Sequence, residues 1–551
     1  MAINDKTLNK EQTQKRILLA TALSFAFFIA YDFLYLQPQQ KAVELANKQN
    51  AQVVQQTTTT NATPAIIQNG APAQNTTAQN SAPVTNNTGT QEVVSKITTN
   101  KNIIQIDNLG RISQVTLEGA QYIDANSKHI NLFTATQLRP LEVRFADTNI
   151  NNEAFKVNVT SSNNIVDATK EKQVVTLTQK LTNTTLTKIL TFYPDGHYDV
   201  DVSSTNNAQF FITPGFRPDV LADMYADHGA LLALNDGTLN IIEDEDMDRS
   251  VELIGINVAS AFDRYYATVL YNYDVSMAIS VMKDANDSPN MFIHAKDGIK
   301  LHGYAGPKEF KTLTALDERL SSVIEYGWFT FIAKPMFTML QYIHDYVGNW
   351  GWTIVITTIL IKLVLFPLSH KGMVSMNRLK DLAPKVKALQ EKYGDDKQKA
   401  SMHMMELYKK EGANPMGGCL PILLQIPVFF AIYRVLLNAI ELKGSEWIFW
   451  INDLAEMDPY FVLPILMGIT MFLQQKITPN TMTDPMQQKM FQLLPVVFTF
   501  FFLWFPAGLT LYWFINNLFT IGQQYYVNVI FENARVERHN KHLEEKKHNK
   551  K

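Results

Sequence analysis

The spacing of apolar and polar positions changes four times along this chain, and each change marks a different kind of element. Ile17 to Leu36 is a nearly unbroken apolar run, interrupted only by Asp32. At ~1.5 Å of helical rise per residue, such a run crosses a hydrocarbon core of about 30 Å. It reads either as a cleaved signal peptide, with Ile17 to Ala30 as its apolar stretch, or as an uncleaved anchor. The lack of a closely following small-residue cleavage site favours the anchor, so residues 1–36 are assigned as N-terminal tail and signal anchor. Residues 37–95 are Gln, Asn, Thr, Ala and Pro without apolar periodicity. They bury too little to offset ordering entropy and read as a disordered linker. From 96 to 320 the pattern has period two: Val174 and Leu177, then Leu186 to Phe192, the Pro194, Asp195, Gly196 turn, and Tyr198 to Val202. Short alternating runs separated by turn residues predict an all-β domain, a sandwich or a barrel, and it is assigned as a sandwich.

From Trp328 the period shifts towards that of a helix. Phe329 to Val347 is amphipathic and rich in aromatics, which predicts an interfacial helix within 321–349. Five long apolar runs follow: Trp350 to Leu368, Gly418 to Ile440, Phe461 to Gln475, Phe491 to Phe505 and Gly508 to Val529. With the N-terminal anchor they predict a multi-span α-helical membrane protein of six transmembrane helices, five of them in a core over 350–530. Inside that core, Met376, Leu379, Ala383, Val386 and Leu389 have helical spacing, Gly394 to Asp396 make a turn, and Ala400, Met404 and Leu407 resume it. The 370–415 segment therefore reads as a helical hairpin, and 531–551 as a basic tail.

Composition agrees with a membrane part joined to a polar one. Charged residues make up 18% of 551, with 49 basic against 52 acidic side chains and a net charge of −3. That balance argues against a nucleic-acid binder by bulk charge. The single Cys, Cys419, excludes a disulfide framework and a multi-Cys zinc site. Asp244, Asp246 and Asp248 have calcium-loop spacing, but Arg249 stands in place of the turn glycine and Gly255 in place of the bidentate Glu, so a solvated loop is expected. Charge also sets orientation. Ser369 to Pro415 carries ten Lys or Arg, whereas Glu441 to Tyr460 carries only Lys443 among five acidic residues. The basic loop and both termini are expected in the cytoplasm and the β domain on the outer side of the membrane.

Polar groups inside the apolar runs are the candidate machinery. Lys362, ~18 Å along its span from Trp350, is costly in hydrocarbon and marks a functional site unless its stem snorkels to the cytoplasmic interface. Thr358 lies one turn away, Gln425 sits at similar depth in the next core span, and Tyr512, Asn516, Thr520 and Gln523 share one face of the last. These groups suit a hydrated recess open to the cytoplasm. Apolar Phe461 to Leu466 and Phe498 to Phe505 would close its outer half, where a water pore would need polar groups. Arg434 is expected to snorkel to outer headgroups. No mid-membrane acid accompanies Lys362, which argues against an ion-coupled transporter, and no nucleophile, metal or phosphate-loop motif supports an enzyme or a cofactor. In the hairpin, Met402, Met404 and Met405 either pack the helical seam or offer an adaptable surface to varied hydrophobic segments. The tail cations Arg535, Arg538, Lys541, Lys546 and Lys547 are solvated, or contact anionic lipids or ribosomal RNA.

Several local patterns together closely resemble the YidC family of bacterial membrane-protein insertases, in its form with a large periplasmic domain. They are Val347-Gly-Asn-Trp-Gly351, Pro367-Leu368, Asn414-Pro-Met-Gly-Gly-Cys-Leu-Pro421, Gln425-Ile-Pro427, Asp458-Pro-Tyr460, Asp484-Pro-Met-Gln487, Phe505-Pro-Ala-Gly508 and Asn516-Asn517. The match covers about Tyr304 to Val527. The resemblance implies five spans around a hydrophilic groove open to cytoplasm and lipid, a hairpin that receives the nascent chain, and a periplasmic β-supersandwich. It implies as partners nascent membrane proteins, the ribosome, and the Sec translocon with its accessory subunits. It also implies substrate-facing positions at Thr358, Ile426 and Trp513. The family's groove charge is typically Arg, where this chain has Lys362, a point charge without the bidentate fork. An insertase that needs no nucleotide of its own is the reading that follows. A channel or transporter, or a periplasmic binding domain on a passive anchor, are the alternatives.

Overall fold

The computed structural model describes residues 92–123, 127–134, 136–220, 227–324, 326–393, 396–412, 420–478 and 485–548. The N-terminal anchor, residues 37–91 of the expected linker and Cys419 lie outside them, whereas the linker's last residues are not loop, since a strand already begins at Val93. The chain divides into two compact units, 1–76 with 484–490 and 77–483 with 491–551, and the account below concerns the second.

Strands occupy Val93 to Pro307. Β1 (Val93–Thr98), β2 (Asn102–Asp107), β3 (Ile112–Leu117) and β6 (Ile165–Asp167) form a four-stranded sheet in the order β3-β2-β1-β6. A thirteen-stranded sheet contains β4 (Val143–Phe145), β5 (Thr160–Ser161), β7 (Gln173–Lys180), β8 (Thr185–Phe192), β9 (Tyr198–Ser204), β10 (Gln209–Ile212) and β11 (Gly229–Leu234). It continues with β12 (Leu239–Glu243), β13 (Val251–Phe262), β14 (Tyr266–Tyr271), β15 (Met277–Lys283), β16 (Pro289–Lys296) and β17 (Gly298–Pro307). The period-two reading is explained by the register. In the antiparallel β7-β8-β9 meander, Val175 pairs with Leu190, and Leu190 with Val200. All three are buried, with Ile97, Ile104 and Val115 of the smaller sheet in the same core. Lys188 shares the inward face with Leu186 and Leu190. Its amine donates to Gly110 O and Leu141 O, each at 2.7 Å, and burial lowers its pKa to about 7. In the expected solvated loop, Asp244 accepts instead from Arg217 Nε at 2.5 Å.

A short helix, α1 (Thr148–Ala154), lies within the β region, and α2 (Phe310–Leu316) follows it. Next comes α3 (Thr330–Val347), the amphipathic segment, with Phe331, Tyr342 and Tyr346 exposed and Met336, Phe337 and Leu340 buried. Gly348, at φ +69°, closes α3 in the left-handed conformation, and the Asn349 side chain accepts from Trp352 N at 3.0 Å to cap α4 (Trp350–Val364). A Cβ on Gly351 would meet the Trp447 ring at 2.1 Å, so only Gly lets that indole lie against α4.

The expected continuous span Trp350 to Leu368 is interrupted. The chain breaks at Leu365 and turns through 64° into α5 (Phe366–Lys392). Pro367 lies in the first turn of the new helix, where its missing N–H costs nothing. Lys362 therefore sits in the last turn of α4, ~3 Å along the axis from its end, closer to it than a span continuing to Leu368 would place it. The hairpin continues in α6 (Lys397–Lys410), capped by Asp396, whose side chain accepts from Lys399 N at 3.0 Å.

The remaining helices are α7 (Leu420–Asn438), α8 (Val462–Ile477), α9 (Pro485–Phe502) and α10 (Ala507–His548). The last apolar run and the basic tail are thus one helix of 42 residues. Among the described residues no single helix is long and apolar enough to cross a membrane, although α4 and α5 together pass that test as a bent pair. At the head of α8, Asp458 Oδ2 accepts from Leu463 N at 2.7 Å and its Oδ1 from Trp450 Nε1 at 2.9 Å. At the head of α10, Ala507 N donates to Glu456 O and Gly508 N to Leu454 O. These bonds give the Asp458-Pro-Tyr460 and Phe505-Pro-Ala-Gly508 patterns their local purpose.

Candidate functional site

The site is assembled from three helices. Α4 places Lys362 in its final turn, α7 contributes Gln425, and α10 supplies Asn516 and Thr520 one turn apart. Lys362 Nζ donates to Thr520 Oγ1 at 3.0 Å, and Thr520 Oγ1 donates to Asn516 O at 2.7 Å. Gln425 Nε2 donates to Asn516 Oδ1 at 3.0 Å. Four of the residues singled out from the sequence therefore form one polar chain joining three helices. Among the described residues no carboxylate pairs with Lys362, whose amine is held by the Thr520 hydroxyl.

The other expected members are placed differently. Thr358 is buried, and its hydroxyl donates to Ile354 O of its own helix at 2.7 Å. Tyr512 is buried above Asn516, while Ile426, beside Gln425, is 44% exposed. Trp513 lies edge-on to Phe429 with ring centroids 4.7 Å apart, and stacks on Phe498 at 5.9 Å. Phe502 and Phe505, stacked at 5.0 Å, extend this aromatic cluster. Aromatic rings thus fill the region beyond the polar chain. Gln523 is buried with no partner for either amide atom among the described residues. Such a group belongs on a hydrated or ligand-facing surface, because a dry one would penalise it.

In the hairpin, Met402 and Met405 are exposed at 53% and 60%, whereas Met404 turns inward, with its sulfur 3.9 Å from Gln390 Nε2 of α5. The three methionines therefore do not share one surface. Arg535 lies 3.6 Å from Asp381 of α5 and 3.4 Å from Glu532. The backbone of α10 carries Arg538, Lys541, Lys546 and Lys547, whose side chains lie outside the described set.

Sequence reasoning missed a second polar node. Asn528 Oδ1 accepts from Asn377 Nδ2 at 2.9 Å and from Gln524 Nε2 at 2.7 Å, and Asn528 Nδ2 donates to Ile477 O at 3.3 Å. Its signal was present, since 516, 520, 524 and 528 continue one i, i+4 ladder of polar residues. The expectation for Arg434 also needs correction. Its Nη1 pairs with Asp227 Oδ2 of the β region at 2.6 Å, because the strands pack against this end of α7. Nearby, Arg264 Nε donates to Leu437 O at 2.8 Å, and Glu441 accepts from Phe310 N at 2.9 Å. Burial pushes the Glu441 carboxyl up to about 7.

Comparison with known proteins decides the family. A membrane protein insertase YidC of Campylobacter jejuni is 50% identical over 521 residues, covering 94% of this chain and 96% of that protein. This chain belongs to the YidC family of membrane protein insertases. The YidC of Wolinella succinogenes is 45% identical over 95% of this chain and 96% of its own. Residues 342–534 match the family model described as 60Kd inner membrane protein, and 262–339 the YidC periplasmic domain. The second match runs from the end of β13 to the middle of α3. YidC proteins are thus inner-membrane proteins with a periplasmic domain, and the β-sheet region belongs to that fold. A solved structure described as an active YidC insertase with its first transmembrane domain resolved aligns at TM-score 0.36 and 17% identity, covering 78% of this chain and 91% of that one.

Proposed function

We propose that this protein moves nascent transmembrane segments from the cytoplasm into the inner membrane through the polar recess around Lys362. The observation that carries this reading is the chain from Lys362 through Thr520 and Asn516 to Gln425, polar groups gathered at one level among apolar helices. A polar stretch of client entering there would exchange water for these groups, which shortens its path through hydrocarbon and lowers the desolvation barrier. The aromatic cluster of Trp513, Phe498 and Phe502 closes the far side, and the apolar flank of the client moves laterally into lipid.

In this reading five core spans and the N-terminal anchor cross the membrane, with both termini and the hairpin in the cytoplasm. Support comes from the ten basic residues of the hairpin loop and from the course of α7, which starts next to the hairpin and ends against the β region. Thr358 shapes the wall of the recess. Ile426, exposed beside Gln425, touches the client, and Tyr512 and Trp513 form its floor. Met402 and Met405 meet the emerging segment, while the cations from Arg535 to Lys547 contact the ribosome or anionic lipid. The Sec translocon and its accessory subunits are partners for larger clients.

The test combines photocrosslinking from position 426 to stalled nascent chains with substitution of Lys362. Lys362→Arg should retain insertion, because charge matters here more than shape, and Lys362→Ala should reduce it at least about tenfold, the factor that 1.4 kcal/mol represents. An Ala variant that supports a depleted strain and inserts clients at the parental level would overturn the groove mechanism. Solute-dependent current through the purified protein in liposomes would favour a channel instead.

A further inference from the structure

We propose that Asn528 is a positioning residue that fixes the pose of the hairpin over the Lys362 recess. The proposal rests on the insertase reading for its functional meaning only. The hairpin leaves α4 through a 64° bend at Leu365, where one helix ends and the next begins. A helix joined to its neighbour by one broken turn can swing about that turn, unless something holds it farther out. Asn377 lies ~16 Å along α5 from that bend, a useful lever arm. There it donates to Asn528 Oδ1 at 2.9 Å, and Gln524 donates to the same oxygen at 2.7 Å. The other half of the Asn528 amide donates to Ile477 O at 3.3 Å, among the last carbonyls of α8, which lack intrahelical partners. One side chain of α10 thereby links the hairpin to two core helices.

Asn377 and Gln524 are 6% and 2% exposed and Asn528 is half-buried, so these bonds are partly shielded from water. The parallel contact, Arg535 with Asp381, is 3.6 Å long and exposed on both sides, and salt will screen it. The amide node is therefore a directional hold on the hairpin that salt screens less than the Arg535–Asp381 pair.

The experiment uses the full chain in lipid nanodiscs. Cys419 is the only Cys, so Cys419→Ser gives a background in which spin labels can be placed at exposed Ala388 of α5 and Leu473 of α8. The parent should give one narrow distance distribution. Asn528→Leu and Asn377→Leu should each add a second, longer population, shifting the ratio of docked to undocked hairpin about fivefold, as loss of one ordinary hydrogen bond does. Raised salt should leave the parent distribution unchanged, and client insertion should fall with the docked fraction. Labels at Leu360 and Leu518 report on the helical core. Unchanged Ala388–Leu473 distances in both Leu variants would overturn the proposal. So would a shift of the core pair in step with the hairpin, or full insertion with the hairpin displaced. The distances report hairpin pose even if Lys362→Ala disproves the groove mechanism, so the two failures remain distinguishable.

Discussion

Glu441 lies where α2, α3 and the end of α7 meet, accepting from Phe310 N at 2.9 Å and Gln341 Nε2 at 3.4 Å. Desolvation raises its pKa to about 7, with Glu309 nearby adding to the effect. A carboxyl whose folded pKa is raised binds more protons folded than unfolded, so its contribution is fully present below about 4.5 and is lost as pH rises through about 7. Glu441→Gln keeps an acceptor for Phe310 N without a titrating charge. The variant should match the parent near pH 4.5 and exceed it above pH 7 by on the order of 3 kcal/mol, as checked by unfolding in detergent across that range. A constant difference would show that Glu441 does not titrate in the window. Nothing in the sequence distinguished Glu441 from the other four acids of its loop, since its burial depends on α2 and α3 closing over it. Lys188 was equally illegible, as its period-two register pointed inward while its charge suggested the surface. Lys362, Gln425, Asn516 and Thr520 were legible because a polar side chain in an apolar run stands out locally.

At the scale of elements, strands and helices were readable where one period persisted, as in the β7-β8-β9 meander and in α6. Ends were less so. The apolar run from Trp350 does not reveal that α4 stops at Val364, because the break depends on Pro367 starting a new helix in another direction. Likewise, the change from apolar to basic near 530 suggested a separate tail, yet helical backbone continues through His548 because neither Gly nor Pro interrupts it. The hairpin shows how one motif divides. Met404 meets Gln390 in the seam, whereas Met402 and Met405 face outward. Met402→Ser with Met405→Ser should lower client crosslinking severalfold at unchanged helicity and thermal midpoint. Met404→Ser should instead lower the midpoint, by about 1–3 kcal/mol of hairpin packing. Circular dichroism beside crosslinking yield separates them, and equal loss of helicity in both variants would return all three methionines to the seam.

Across the whole molecule, the least legible feature is the contact between the β region and the helices. Leu231, Val258, Phe262 and Val269 of the strands share one buried cluster with Leu313, Phe337, Ile432 and Val435. In sequence these read as a strand face and a lipid-facing span, and only the fold shows that each covers the other. Arg434 was likewise misread, because its partner Asp227 is 207 residues away. The ion pair is only partly exposed on both sides, and Arg264 adds a hydrogen bond to the Leu437 carbonyl at the end of α7. A cation donating to a helix C-terminus is favourable, and a partly shielded pair is worth more than a surface one. The two contacts should therefore hold the same end of the helix that presents Gln425 to the recess. Arg434→Gln with Arg264→Gln should speed amide exchange over residues 435–442 by about 5- to 30-fold, the factor for 1–2 kcal/mol of local stability. The β7-β8-β9 meander should keep its protection. Swapping the pair, Arg434→Asp with Asp227→Arg, should recover part of that loss when Arg264 is intact. If exchange rises equally throughout the β region, the contacts stabilise the sheet as a whole; if it rises nowhere, the shared apolar cluster alone holds the helix end.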